Sequence, residues 1–249
     1  MAIIHPTTMV PGKLELLAQW LPGRPWYAGE ASPRPEAQAN STPRPEAQAN
    51  STPRPEAQAN STPRLTKAGG FRLDDPQGEV GLEFMAATDD SGDEPVTYHV
   101  PLSYRGAPLA GGDAALIGTA QHGVLGTRWI YDGTRDPVLI DQMFALLLGE
   151  AEPQAQSISN TMDPSVTRSI TGNIGTLPVK IADITDGPRS TDITVRPAAA
   201  AGPVMLRVNR VLRPSAPGLM AGTLGHITAE WAGPGASRPR GRFFVLRVP

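Results

Sequence analysis

Cysteine is absent from this sequence. Disulfides and thiolate-held metals are thereby excluded, and a cytoplasmic location is expected. Aromatic residues are scarce, at 5%, and histidine occurs only four times in 249 residues. No stretch approaches the roughly 18 consecutive apolar residues of a membrane-spanning helix. The opening, MAIIHPTTMVPGK, has no basic start followed by an apolar core and a small-residue cleavage site, so no secretion signal is expected. With a net charge of −2 there is no basic field for nucleic acid or an anionic membrane. Signatures of chemistry are missing too. None of His5, His99, His122 and His226 has an aspartate two positions on, as a kinase catalytic loop of the form H-x-D-x-x-x-x-N requires. The patterns G-x-x-x-x-G-K-[ST], G-x-S-x-G and H-E-x-x-H do not occur. The expectation is no catalytic residue, no cofactor and no metal ligand.

What the chain does have is glycine and proline, 26 and 27 residues, about a fifth of the total. That composition favours short strands and many turns over a helical bundle. Pro33 to Thr62 consists of three copies of PRPEAQANST, and Pro63-Arg64 starts a fourth. Each copy has two prolines, balanced charge and no large apolar side chain. It cannot bury enough surface to offset the entropy of ordering, so a disordered insert is expected. Loop closure costs grow only logarithmically with length, so a host fold tolerates it. Asn40, Asn50 and Asn60 stand in N-S-T sequons, which go unread without secretion.

Around this insert the local signals are consistent. Lys13 to Leu21 reads as a helix with Leu14, Leu17, Trp20 and Leu21 on one face. Val80, Leu82, Phe84 and Ala86 alternate with other residues, as do Val96, Tyr98, Val100, Leu102 and Tyr104. Both runs predict strands with one buried face, paired as a hairpin. Asp89, Asp90, Asp93 and Glu94 between them read as a solvated turn, since their spacing is not that of a calcium loop. Pro101 cannot donate to a ladder. Its strand is therefore expected at a sheet edge, or with the proline nitrogen turned from any neighbour. A glycine-punctuated loop follows, Gly106 to Gly126, then a short strand, Thr127 to Tyr131. Asp136 is placed to cap a helix, with Pro137 at its first position and Gly149 at its end. Pro178 to Ala182 and Asp192 to Arg196 are strand candidates around an Asp186-Gly187 turn. Val204 to Leu212, Leu224 to Trp231 and Arg242 to Val248 predict three more strands.

Three blocks carry a family resemblance: YHVPLSYRGAPL, LIGTAQHGVLG and RWIYDGTRDPV. In this order they resemble the N-terminal cap domain of actinobacterial maltokinases. WLPGRPWY near the start is similar to the WLP…WY segment of that cap. The resemblance runs from about Leu14 to Glu152, the insert excepted. It implies a cap that packs on the nucleotide-binding side of a kinase which phosphorylates maltose in a trehalose-to-glucan route. The kinase lobe of that family is not expected in a chain of this length. MLRVNRVLRP is similar to a kinase strand of the form L-K-V-F-R. Arg207 then stands where a phosphate-binding lysine is implied, a change that argues against ATP use.

The sequence therefore predicts an α+β protein: an antiparallel sheet with one or two packing helices, a disordered repeat insert and a small C-terminal β subdomain. Its segments are 1–30 (helix and aromatic residues), 31–68 (insert), 69–152 (cap-like domain), 153–202 (irregular connection) and 203–249 (C-terminal β). The expected function is a non-catalytic cap-like module that binds or modulates a sugar kinase or a glucan- or trehalose-pathway enzyme. The alternatives are a sugar kinase subunit or remnant and a small-glucan binding module. Tyr104, Arg105, His122, Arg128, Trp129, Tyr131 and Asp132 form the candidate ligand or partner surface. Aromatic faces beside planar polar groups are what a sugar site needs; the same residues also suit a structural core.

Overall fold

The computed structural model describes residues 8–28, 62–172, 174–200, 202–216, 218 and 222–249. Nearly all of the decapeptide insert, with its three sequons, lies outside the described residues. The described chain contains β1 (Met9–Val10), α1 (Lys13–Trp20), β2 (Leu65–Leu73), β3 (Gly81–Asp89), β4 (Val96–Arg105), β5 (Leu116–His122) and β6 (Gly126–Asp132). After these come α2 (Pro137–Leu148), β7 (Gln154–Ala155), β8 (Thr167–Ile170), β9 (Thr176–Asp186), β10 (Ser190–Ala198), β11 (Val204–Asn209), β12 (Thr223–Glu230) and β13 (Arg240–Arg247). They form two antiparallel sheets, ordered β1-β5-β6-β4-β3-β2-β7 and β8-β12-β13-β11-β10-β9. The class is α+β with two short helices, as the sequence predicts.

Side-chain alternation sets the layers. Phe84 and Ala86 of β3, with Phe71 and Leu73 of β2, join a core shared with Ile193, Val195, Leu206, Val208, Phe244 and Leu246 of the second sheet. Met85, Tyr98, Val100, Leu102 and Ile130 face the other way, onto Leu16, Leu17 and Trp20 of α1. The first sheet thus has α1 on one side and the second sheet on the other.

Helix α2 is wedged into the shared core. Asp136 Oδ1 accepts from Val138 N at 3.0 Å, Pro137 opens the helix, and Gly149 ends it at φ 81. Leu139, Ile140, Met143, Phe144, Leu146 and Leu147 are all buried. Each is worth about 1.5–3 kcal/mol of apolar burial. In α1, Leu16 is buried, whereas Leu14, expected on the buried face, is only partly covered. At Gly118 a Cβ would come 2.7 Å from Leu16 Cδ2, so the helix rests directly on the backbone of β5.

Several expectations are corrected. The loop Gly106 to Gly126 contains β5, which pairs with both β1 and β6. The folded chain resumes at Leu65, ahead of Gly69, and Gly70 is why β2 lies so close to its neighbour. With φ at 121, a methyl on Gly70 would overlap the Phe84 carbonyl. Strand β4 is central, and Tyr98 to Ser103 are buried on both faces because both faces of the sheet are covered. Pro101 survives there at a change of neighbours. Residues 97–99 bond to Arg210 and Leu212 on one flank, and pairing with β6 starts at Leu102. Between these two stretches that flank requires no N–H, while the ladder to β3 continues past Pro101 on the other. Asp89 is not a solvated turn residue: it is buried and accepts from Tyr27 Oη and from Arg64 N and Ser91 N. The three expected C-terminal strands are β11, β12 and β13, part of a six-stranded sheet completed by β8, β9 and β10.

Candidate functional site

The sequence-selected residues divide between two faces and one turn. Tyr104 lies opposite Ile130, and Leu102 lies opposite Asp132. Tyr104, Arg128 and Asp132 therefore point to the α1 side. Arg105 lies opposite Trp129, and Ser103 opposite Tyr131. Trp129 and Tyr131 share a face, as alternation requires, and Arg105 is on it with them. His122 sits at the end of the β5–β6 hairpin, where Nδ1 accepts from Val124 N at 3.3 Å and Leu125 N at 3.1 Å.

Most of these side chains are held by their neighbours. Arg105 makes two bonds to Asp136, at 2.7 and 2.6 Å, so the helix cap is also an ion-pair partner. Those bonds, stronger than the effect of burial, raise the Arg105 pKa further. Tyr131 Oη accepts from Leu109 N at 2.9 Å. Trp129 is half-buried. A Cβ at Gly106 would lie 2.6 Å from Arg128 Nη1, so that guanidinium is packed on the loop backbone.

Asp132 belongs to a buried network that the sequence reading missed. Arg210 Nη2 donates to Asp132 Oδ2 at 2.6 Å and to Thr134 Oγ1 at 2.7 Å. Arg210 Nε donates to Thr191 Oγ1 at 2.7 Å, and Thr191 donates on to Asp186 at 2.6 Å. Asp186 also pairs with Arg135 at 2.6 Å. The Arg210 guanidinium lies 4.8 Å from the Trp26 ring centroid. This chain of bonds ties β6 to the second sheet. Its only sequence signal is an arginine bracketed by Val208 and Leu212, which alternation places inward.

A second missed cluster surrounds Glu83. It is fully buried and accepts from Lys13 Nζ at 2.6 Å, Tyr104 Oη at 2.5 Å and Gln156 Nε2 at 2.7 Å. Burial alone would raise its pKa, but the Lys13 charge and the three bonds outweigh that and hold it below the ordinary carboxylate value. Tyr104 is pushed up by burial and by the Glu83 charge. Arg207, at the position of the implied phosphate-binding lysine, is spent on Asp192 through two bonds of 2.6 and 2.5 Å.

The surface offers a cleft of about 590 Å³ lined by Lys67, Gly70, Ser157, Trp231 and Arg238. It also offers an apolar tip. Val124 and Leu125 are 60% and 45% exposed; Val10, 65% exposed, lies opposite Gln121 on the strand that pairs with β5. Among the described residues no helix is long and apolar enough to cross a membrane.

Residues 56–136 match the model of the maltokinase N-terminal cap domain. The match is about a third of the chain and runs from the last decapeptide through β6 to Asp136. It holds all seven sequence-selected residues, and it is narrower than the Leu14–Glu152 range of the resemblance. No curated protein matches the chain.

Proposed function

We propose that this protein is a non-catalytic cap-like module of the cytoplasm that docks on a sugar kinase or a glucan- or trehalose-pathway enzyme and modulates it. The observation that carries this reading is the exposed apolar tip of the β5–β6 hairpin, Val124 and Leu125, which lies inside the segment matching the cap domain. Apolar side chains held out on a rigid hairpin suit insertion into a partner's groove. The use of Asp132, Asp136 and Glu83 in buried structural bonds supports the non-catalytic part, since each carboxylate is committed to an arginine or lysine of the same chain.

The test is calorimetry of the purified protein against a maltokinase, with and without that enzyme's own cap. Binding is expected, and Val124→Asp/Leu125→Asp should weaken it at least about tenfold, as loss of a hot spot does. No binding to either form, or binding unchanged in the double variant, would overturn the docking reading. ADP release from ATP, magnesium and maltose by the protein alone, above a boiled control, would favour a kinase. Heat on mixing with maltose, abolished by Trp129→Ala, would favour a glucan-binding module.

A further inference from the structure

Helix α2 buries one amide among its apolar side chains. Gln142 is 8% exposed, while its buried neighbours on the helix, Leu139 to Leu147, are otherwise apolar. Among the described residues its side chain has no hydrogen-bond partner. The amide is not sealed from solvent: it opens toward a cleft. Gln142 lines a cleft of about 450 Å³ at the end of α2, within the size range of small-ligand sites.

Every ionisable group lining that cleft is acidic: Asp74, Asp75, Glu150 and Glu152. Asp75 is already spent, accepting from Gln77 N, Glu79 N and Val80 N to hold the turn before β3. The carboxylates of Glu150 and Glu152 have no ion-pair or hydrogen-bond partner among the described residues. Met162, 58% exposed, supplies an apolar wall.

We propose that this cleft binds a guanidinium or ammonium group carried on a short alkyl stem. The cation's N–H donors meet the carboxylates of Glu150 and Glu152 and the side-chain carbonyl of Gln142, all of them acceptors. The stem lies along the polarisable thioether of Met162. Among the described residues no three acidic or histidine side chains converge as a metal site would require, so the fit is to an organic cation. The head group can belong to a free amine or to an arginine or lysine of another polypeptide, because both present the same chemistry. The inference rests on the cleft alone and does not depend on the cap-domain reading.

Calorimetry on the full chain tests it with butylguanidine, its neutral counterpart butylurea, a doubly blocked arginine and magnesium chloride. Butylguanidine is expected to bind, with butylurea at least about tenfold weaker and with affinity falling as salt is raised. Glu150→Gln/Glu152→Gln, at exposed positions, should lower affinity about tenfold while leaving the melting temperature in place. Gln142→Leu should also lower affinity and should not destabilise the fold. Tighter binding of blocked arginine than of butylguanidine assigns the site to a polypeptide side chain, and the reverse order to a free amine; either supports the proposal. No heat with either cation, equal affinity for butylurea, an unchanged Glu150→Gln/Glu152→Gln variant, or magnesium displacing butylguanidine would each overturn it.

Discussion

Arg210 Nη2 lies 2.6 Å from Asp132 Oδ2, and the two side chains are 0% and 4% exposed. One follows β11 and the other ends β6, so this ion pair joins the two sheets through the interior. Taking either partner away leaves a buried charge alone. Arg210→Met should therefore cost about 3–5 kcal/mol in urea unfolding. Arg210→Met combined with Asp132→Leu should cost less than the sum of the single changes. Additive costs would show that the pair does not act as a unit.

Glu83 gives the fold an acid-sensitive element. Its folded pKa lies below the ordinary value of 4.5 because Lys13, Tyr104 and Gln156 outweigh the effect of burial. The unfolded chain takes up the proton first as pH falls. The stability from this group is thus complete above pH 4.5 and is lost below it. Glu83→Gln should be less stable at pH 7 by about 1–3 kcal/mol. It should also show a shallower loss of stability below pH 4.5 than the parent protein in urea titrations.

His99 titrates in a different window. Burial, with the Arg210 charge adding to it, pushes its pKa from 6.5 down to about 3. Its Nδ1 donates to the Asn209 carbonyl at 3.0 Å, and Nε2 is buried without a partner, so the ring is neutral. In the unfolded chain the ring gains its proton near pH 6.5. Stability should therefore fall between pH 6.5 and about 3, by up to about 1.4 kcal/mol per pH unit. Ring nitrogen shifts in NMR should stay those of a neutral imidazole at pH 5. A protonated His99 at that pH would contradict the burial argument.

Asp136 does two jobs, and substitutions should separate them. It caps α2 through Val138 N and pairs with Arg105 while fully buried. Asp136→Asn keeps a capping oxygen but loses the ion pair. Asp136→Ala loses both and should cost about 1 kcal/mol more, the usual value of a cap. Equal melting temperatures for the two variants would mean that the cap contributes nothing here.

Local chemistry made much of the fold legible. The helix from Asp136 to Gly149 was readable because capping, proline at the first position and a left-handed glycine are all decided within one or two turns. The β3–β4 hairpin was readable from alternation. Strand β5 was not, because its glycine at 118 looks like a loop until Leu16 of α1 is seen resting on it. The central place of β4 was hidden by Pro101, whose missing donor costs nothing only because two different neighbours meet there.

The candidate site was legible as residue types but not as bonds. Asp132 was singled out beside Trp129 and Tyr131, yet its partner Arg210 stands 78 positions away. Glu83 sits in GLEFMAA, where one charge among apolar neighbours gives no hint of Lys13, 70 positions earlier. Gln142 reads as an ordinary polar position of a helix; only the packing of α2 brings its amide, on a residue 8% exposed, to an acidic cleft.

By itself the sequence determined the elements, the caps and turns that bound them, the α+β class and the likeness to a cap domain. Each of these depends on neighbours a few residues apart, whose geometry is set by backbone dihedrals and side-chain period. The tertiary structure alone decided which strands are central, which charges are paired and which polar groups are left facing a cleft. Those outcomes depend on distance and burial between residues far apart in the chain, and it is the removal of water that turns a charge or an amide into either a bond or a site.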